Sequence, residues 1–178
     1  MSPASIIDVV ETIRDMQAAG IIKSFAIGGA FAAILHNEPV STVDLDIFFL
    51  LSKEESSPIL SLSEIYDYAR ANGFTFDHEF INIYGWLVQF VEASRNGLWR
   101  EAISSAESIT ISGAEVPVIR REYLVAMWLF SGRAKDFQKI ALFKESGTLD
   151  SAVLFTILDK YDLRVKWEKE KWRFEDEE

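Results

Sequence analysis

The chain contains no cysteine. That excludes disulfides, thiolate metal sites and cysteine nucleophiles, and it agrees with a reducing, cytoplasmic setting. Basic side chains are scarce as well: 18 Lys and Arg stand against 28 Asp and Glu, a formal charge of -10. This balance argues against a broad phosphate-tracking surface, so extended nucleic-acid binding is not expected, while a small anionic ligand stays open. Glu175, Asp176, Glu177 and Glu178 account for four of the acids and read as a solvated, frayed tail. No apolar run approaches the roughly 18 to 20 residues that span a bilayer, and residues 1–7 lack the basic segment and apolar core of a secretory signal. No membrane partner is expected. The two histidines, His36 and His78, lack metal-ligand spacing and read as local caps or surface groups.

What is present is apolar matter in ordered patterns. With 178 residues, 49% of them hydrophobic, the chain can bury one core and carry a helical appendage. Ile6, Val9, Val10, Ile13 and Met16 recur at helical spacing, and Gly20 follows as a stop. Residues 24–27 read as a strand and 30–35 as a tightly packed helix, with Gly28-Gly29 as the turn between them. Val43 to Leu51 is the strongest strand pattern. Ser61 and Glu64 form a capping box ahead of a helix that Asn72-Gly73 ends. Strand patterns return at 74–76, 80–84, 86–91, 109–111 and 116–118, with a short helix at 98–106. Beyond Arg120 the periodicity is helical throughout. The expected fold is α+β, a mixed sheet with flanking helices over 1–119, and a C-terminal helical region over 120–178 packed on it as one compact unit.

The stretch FAIGGAFAAILHNEPVSTVDLDIFFLL, residues 25–51, poses the chemical question. Alternation along a strand points Asp44 and Asp46 to one face, roughly 7 Å apart, and Val43, Leu45 and Ile47 to the other. Two neighbouring carboxylates repel each other unless a cation lies between them, and hard divalent ions such as Mg²⁺ prefer such oxygen ligands. The glycine turn lets backbone N–H groups approach an anion, with the positive end of a helix behind them. Metal plus phosphate is the implied chemistry. A plain edge strand with two solvated acids, and a glycine turn needed only for steric reasons, is the competing scaffold reading.

Ile27-Gly28-Gly29 followed by Asp44-Leu45-Asp46-Ile47, with Thr42 two residues ahead, resembles the nucleotidyltransferase superfamily of the DNA polymerase β type. A second stretch, VPVIRREYLVAMWLFSGRAKDFQKIALF over 116–143, resembles a segment of the stand-alone minimal bacterial members. The resemblance implies that Gly28, Gly29 and Thr42 serve the nucleotide phosphates and that Asp44 and Asp46 bind two Mg²⁺ ions. It further implies transfer of a nucleoside monophosphate from an NTP to an acceptor hydroxyl on a small molecule, a protein or an RNA end. Toxin–antitoxin or resistance settings are its suggested contexts.

Two positions depart from that pattern. The strand position expected to present a third, catalytic carboxylate is Gln89, whose amide cannot take a proton near neutral pH. Glu92 falls on the opposite face, and Asp77 and Glu79 lie toward an expected sheet edge from which either could substitute as base. Val40 stands where relatives often carry an Arg. The alternative function is therefore a catalytically impaired nucleotidyltransferase-fold module acting through a protein partner. Arg133 and Lys135 are the candidate cations of the nucleotide pocket, against the alternative that Arg133 forms a surface pair with Asp136. Arg120 and Arg121 are expected to face solvent, and Trp86, Trp99 and Trp128 to belong to the core. The run Trp128-Leu129-Phe130, with the late helices, is a candidate homodimer face.

Overall fold

The computed structural model describes residues 5–52 and 62–174. Helix α1 (Ile6–Ala18) starts at a capping box between Ser5 and Asp8 and buries Val9, Val10, Ile13 and Met16. Strand β1 (Ile22–Ile27) runs into Gly28 and helix α2 (Gly29–Leu35), and β2 (Asp44–Leu51) returns antiparallel to β1. Helix α3 (Ser63–Ala71) and strands β3 (Thr75–Asp77), β4 (Phe80–Ile83) and β5 (Trp86–Glu92) follow. Then come α4 (Gly97–Ser104), the hairpin β6 (Glu107–Ile111) and β7 (Ala114–Val118), and helices α5 (Arg121–Ser131), α6 (Ala134–Glu145), α7 (Ser151–Lys160) and α8 (Arg164–Glu170).

The seven strands form one open mixed sheet in the order β3-β4-β5-β2-β1-β7-β6. β2 pairs parallel with β5 and antiparallel with β1, which places it inside the sheet. Leu45, Ile47 and Phe49 are fully buried on one of its faces, which packs into the hydrophobic cluster. Asp44, Asp46 and Phe48 occupy the other face and are only partly covered. Val43 departs from the expected pattern: it lies ahead of β2 and is 83% exposed.

Helix α5 is buried from Glu122 to Leu129 and ends at Gly132, whose φ of 69° is the left-handed cap that favours glycine. Its burial takes Trp128 and Leu129 out of the expected dimer face, because both are core residues and only Phe130 of that run is exposed. Buried side chains from α1 through Phe174 make one hydrophobic cluster, so the C-terminal helices share the core of the sheet. Glu101 ties three helices together, accepting from Tyr123 Oη at 2.9 Å, from Tyr161 Oη and from Lys160 Nζ at 2.7 Å. Among the described residues no helix is long and apolar enough to cross a membrane.

Three local expectations change. Ser61 and the tail 175–178 lie outside the described residues, and α3 opens at Leu62 without a side-chain cap bond. His36 is the C-cap of α2 but is buried, with Nε2 2.8 Å from the Ile119 carbonyl oxygen. Arg121 is partly buried rather than solvent-facing, and its Nε is enclosed without a hydrogen-bond partner.

Candidate active site

Above the Asp44–Phe48 face of β2 lies a cleft of about 830 Å³. Alternation along β2 brings Asp44, Asp46 and Phe48 into it, and alternation along β5 brings Gln89 and Val91. The parallel register sets Asp46 opposite Gln89 and Phe48 opposite Val91. The floor therefore changes from carboxylate and amide to hydrocarbon within one repeat of about 7 Å.

The glycine turn is locked to this floor. Gly29 has φ +60°, and a Cβ there would stand 2.7 Å from Asp46 Cγ and closer still to Oδ2. A Cβ on Gly28 would overlap the Phe48 ring. Both glycines are required by close approach, and Gly29 by its backbone conformation as well. Gly28 has a different part from the expected one: its N–H donates to the Asp46 main-chain oxygen at 2.9 Å and it does not line the cleft. Gly29 and Ala30 do line it.

Thr42 Oγ1 donates to Asp44 Oδ1 and orients that carboxylate. The Asp46 carboxyl is pushed up from 3.8 to about 6, first by burial and then by the Asp44 charge, against the opposing pull of Lys139, Arg133 and Lys135. Those three cations enter from α6 and its N-cap, and all line the cleft. Asp136, fully buried, accepts from Arg133 Nε at 2.7 Å and Lys139 Nζ at 3.0 Å. The expected surface pair is thus an anchored one, in which a buried carboxylate sets the direction of two cations. Lys139 also lies 4.9 Å from the centre of the Trp128 ring.

The structure brings Gly29, Thr42, Asp44, Asp46, Gln89, Arg133 and Lys135 to one cavity, and Val40 lines it in place of an arginine. Asp77 and Glu79 do not reach it: Asp77 ends the edge strand β3, separated from β5 by β4, and is 2.8 Å from His78 Nδ1. Glu92 accepts from the Ser94 N–H at 2.6 Å and is not part of the cleft either. Sequence reasoning missed Lys139, Phe48 and Val91. Lys139 stands one helical turn after Lys135, and Phe48 and Val91 each continue an alternation already recognised, so the signals were present.

Asp44 and Asp46 are carboxylates of the kind a hard divalent cation prefers, and they share a face of β2 where burial and the Asp44 charge already disfavour the ionised form of Asp46. Among the described residues no group of three or more His, Asp or Glu side chains forms a fuller ligand cage.

No protein-family model matches the chain, and no curated protein matches it. Among solved structures it is similar to the crystal structure of ANT(2")-Ia in complex with adenylyl-2"-tobramycin, with a TM-score of 0.53 and 14% identity over 91% of this chain and 99% of that one. The solution structure of the antibiotic-resistance factor ANT(2'')-Ia gives a TM-score of 0.52 and 14% identity over 92% and 94%. At this identity the likeness concerns the fold, which is nucleotidyltransferase-like.

Proposed function

We propose that the chain binds a nucleoside triphosphate with Mg²⁺ and transfers the nucleoside monophosphate to an acceptor hydroxyl. The observation that carries this reading is the close approach of Gly29 to the Asp46 carboxylate: a turn that tolerates no side chain is pressed against one member of the acid pair, and three cations line the same cleft. The neighbour holding adenylyl-2"-tobramycin supports a nucleotide-derived ligand in this fold.

Asp44 and Asp46 would hold the metal, with Thr42 orienting Asp44. When bound, Mg²⁺ neutralises phosphate charge and polarises the phosphorus–oxygen bonds. Arg133, Lys135 and Lys139 hold the polyphosphate, and the buried Asp136 keeps two of them aimed. The acceptor oxygen bonds to the α-phosphorus as the α–β phosphoanhydride bond breaks, pyrophosphate leaves, and the hydroxyl proton passes to solvent. Gln89 can accept or donate a hydrogen bond beside Asp46 but takes no proton, so the reaction lacks a carboxylate base at that position.

Calorimetry with Mg²⁺ and each NTP, followed by an assay for pyrophosphate release, tests the reading, with Asp44→Asn as the inactive control. Binding with release supports it. Nucleotide binding without release favours the second reading, a module that keeps the pocket and works through a partner, for which Gln89 is the specific observation. No binding at all leaves a scaffold.

A further inference from the structure

The wall opposite the sheet decides what second molecule the cleft accepts. Past the Asp46 and Gln89 row the floor is Phe48 and Val91, and Trp99 of α4 stands over Phe48 with ring centres 5.7 Å apart at a steep angle. Leu124 and Met127 of α5 also line the cleft. Asp44 and Asp46 are the only carboxylates that line the cleft among the described residues, and Arg133, Lys135 and Lys139 line it too. On the transferase reading the two acids are engaged by metal and the three cations by phosphate. What is left for a second ligand is hydrocarbon and aromatic surface.

We infer that the apolar end seats the acceptor, and that the acceptor is an uncharged molecule whose hydroxyl stands on a flat apolar body, not a polycation. The inference rests on the proposed transferase reading. A polyammonium ligand would find no unengaged acid at this end, whereas a flat ring gains contact with Phe48 and Trp99 and takes apolar surface out of water. At about 830 Å³ the cleft is near the upper end of the roughly 300 to 1,000 Å³ usual for ligand sites, enough for a nucleotide and a small second molecule together.

The test loads the full chain with Mg²⁺ and a non-hydrolysable ATP analogue, then titrates 2-naphthalenemethanol or tobramycin, a polyamine. Binding is read by calorimetry and by the indole N–H signal of Trp99 in NMR spectra. The expected result is that the naphthyl alcohol binds with the nucleotide still in place and moves the Trp99 signal, that Met127→Glu weakens it tenfold or more, and that tobramycin does not bind measurably. If the variant fails to fold, the Trp99 shift in the unmutated protein decides. Nucleotide binding with no alcohol binding overturns the inference. So does displacement of the nucleotide by the alcohol, which would make the apolar end the seat of the base, and so does tighter binding of tobramycin. Alcohol binding at Trp99 in a protein that takes no nucleotide overturns the transferase reading and keeps the apolar seat.

Discussion

Asp46 on β2 and Gln89 on β5 are register partners on adjacent parallel strands, and both line the cleft. The amide thus occupies the place from which a carboxylate could reach both a metal beside Asp46 and an incoming hydroxyl. Restoring the acid is the direct check on how far that one residue limits turnover.

Gln89→Glu is expected to raise the rate of pyrophosphate release about tenfold or more, within the roughly 10² to 10⁴ range of a positioned general base. Release measured under single-turnover conditions at saturating Mg²⁺ reports it. An unchanged rate would show that proton removal does not limit the reaction.

Gly29→Ala forces a side chain into the Asp46 carboxylate at a φ of +60°. A loss of about 2 kcal/mol in urea unfolding is expected, larger than the cost of positive φ alone, because Asp46 must also move. Nucleotide affinity should fall with it. Gly147→Ala, where φ is +64° but nothing lies within 4 Å of the added Cβ, isolates the backbone contribution.

Asp46→Asn removes one of two like charges from a covered site. In metal-free protein at pH 8 it should raise stability by about 1 to 2 kcal/mol, since the ionised form is the one that burial disfavours. The same change should abolish the rise in melting temperature on adding Mg²⁺. A variant that loses stability without metal and still responds to Mg²⁺ would remove Asp46 from the metal site.

His36 supplies a pH dependence of its own. Burial lowers its pKa from 6.5, Arg121 lowers it further, and the bond to Ile119 with the charges of Glu107 and Glu122 opposes them. The folded value lies below the unfolded one, so the stability it contributes is fully present above 6.5 and is lost as pH falls through the lowered folded value. In an Asp46→Asn background, which removes a carboxyl that titrates in the same pH range, the melting temperature should drop from pH 7 toward pH 5. His36→Gln should flatten that slope.

Lys139→Met leaves the fully buried Asp136 with Arg133 as its remaining charged partner among the described residues. A destabilisation of about 1 to 3 kcal/mol is expected, with weaker NTP binding than in the unmutated protein and Mg²⁺ binding alone unchanged. If stability falls but the Kd for NTP is unmoved, Lys139 serves only Asp136.

The strand patterns at 43–51 and 86–91 were legible because alternation is a local property, and both correspond to strands of the sheet. The helix from Arg121 was legible for a similar reason, yet its burial on all sides was not, since that depends on α4, α6 and α7 packing round it. This is why an apolar run that reads as a dimer face is interior. His36 is the local cap the sequence indicated, but its burial was not legible: nothing near it in the chain announces that Ile119 lies against it.

Periodicity and two short motifs, by themselves, determined the α+β class, the shared face of Asp44 and Asp46, and the placing of glycines at a strand-to-helix turn. Covalent geometry sets those relations within a few residues of chain. Only the tertiary structure decided that Gly29 presses on Asp46, that Gln89 is its partner, that Gly28 has already used its N–H, and that α6 closes the cleft with cations. Each of those joins segments many residues apart, and their meeting depends on how the whole core packs.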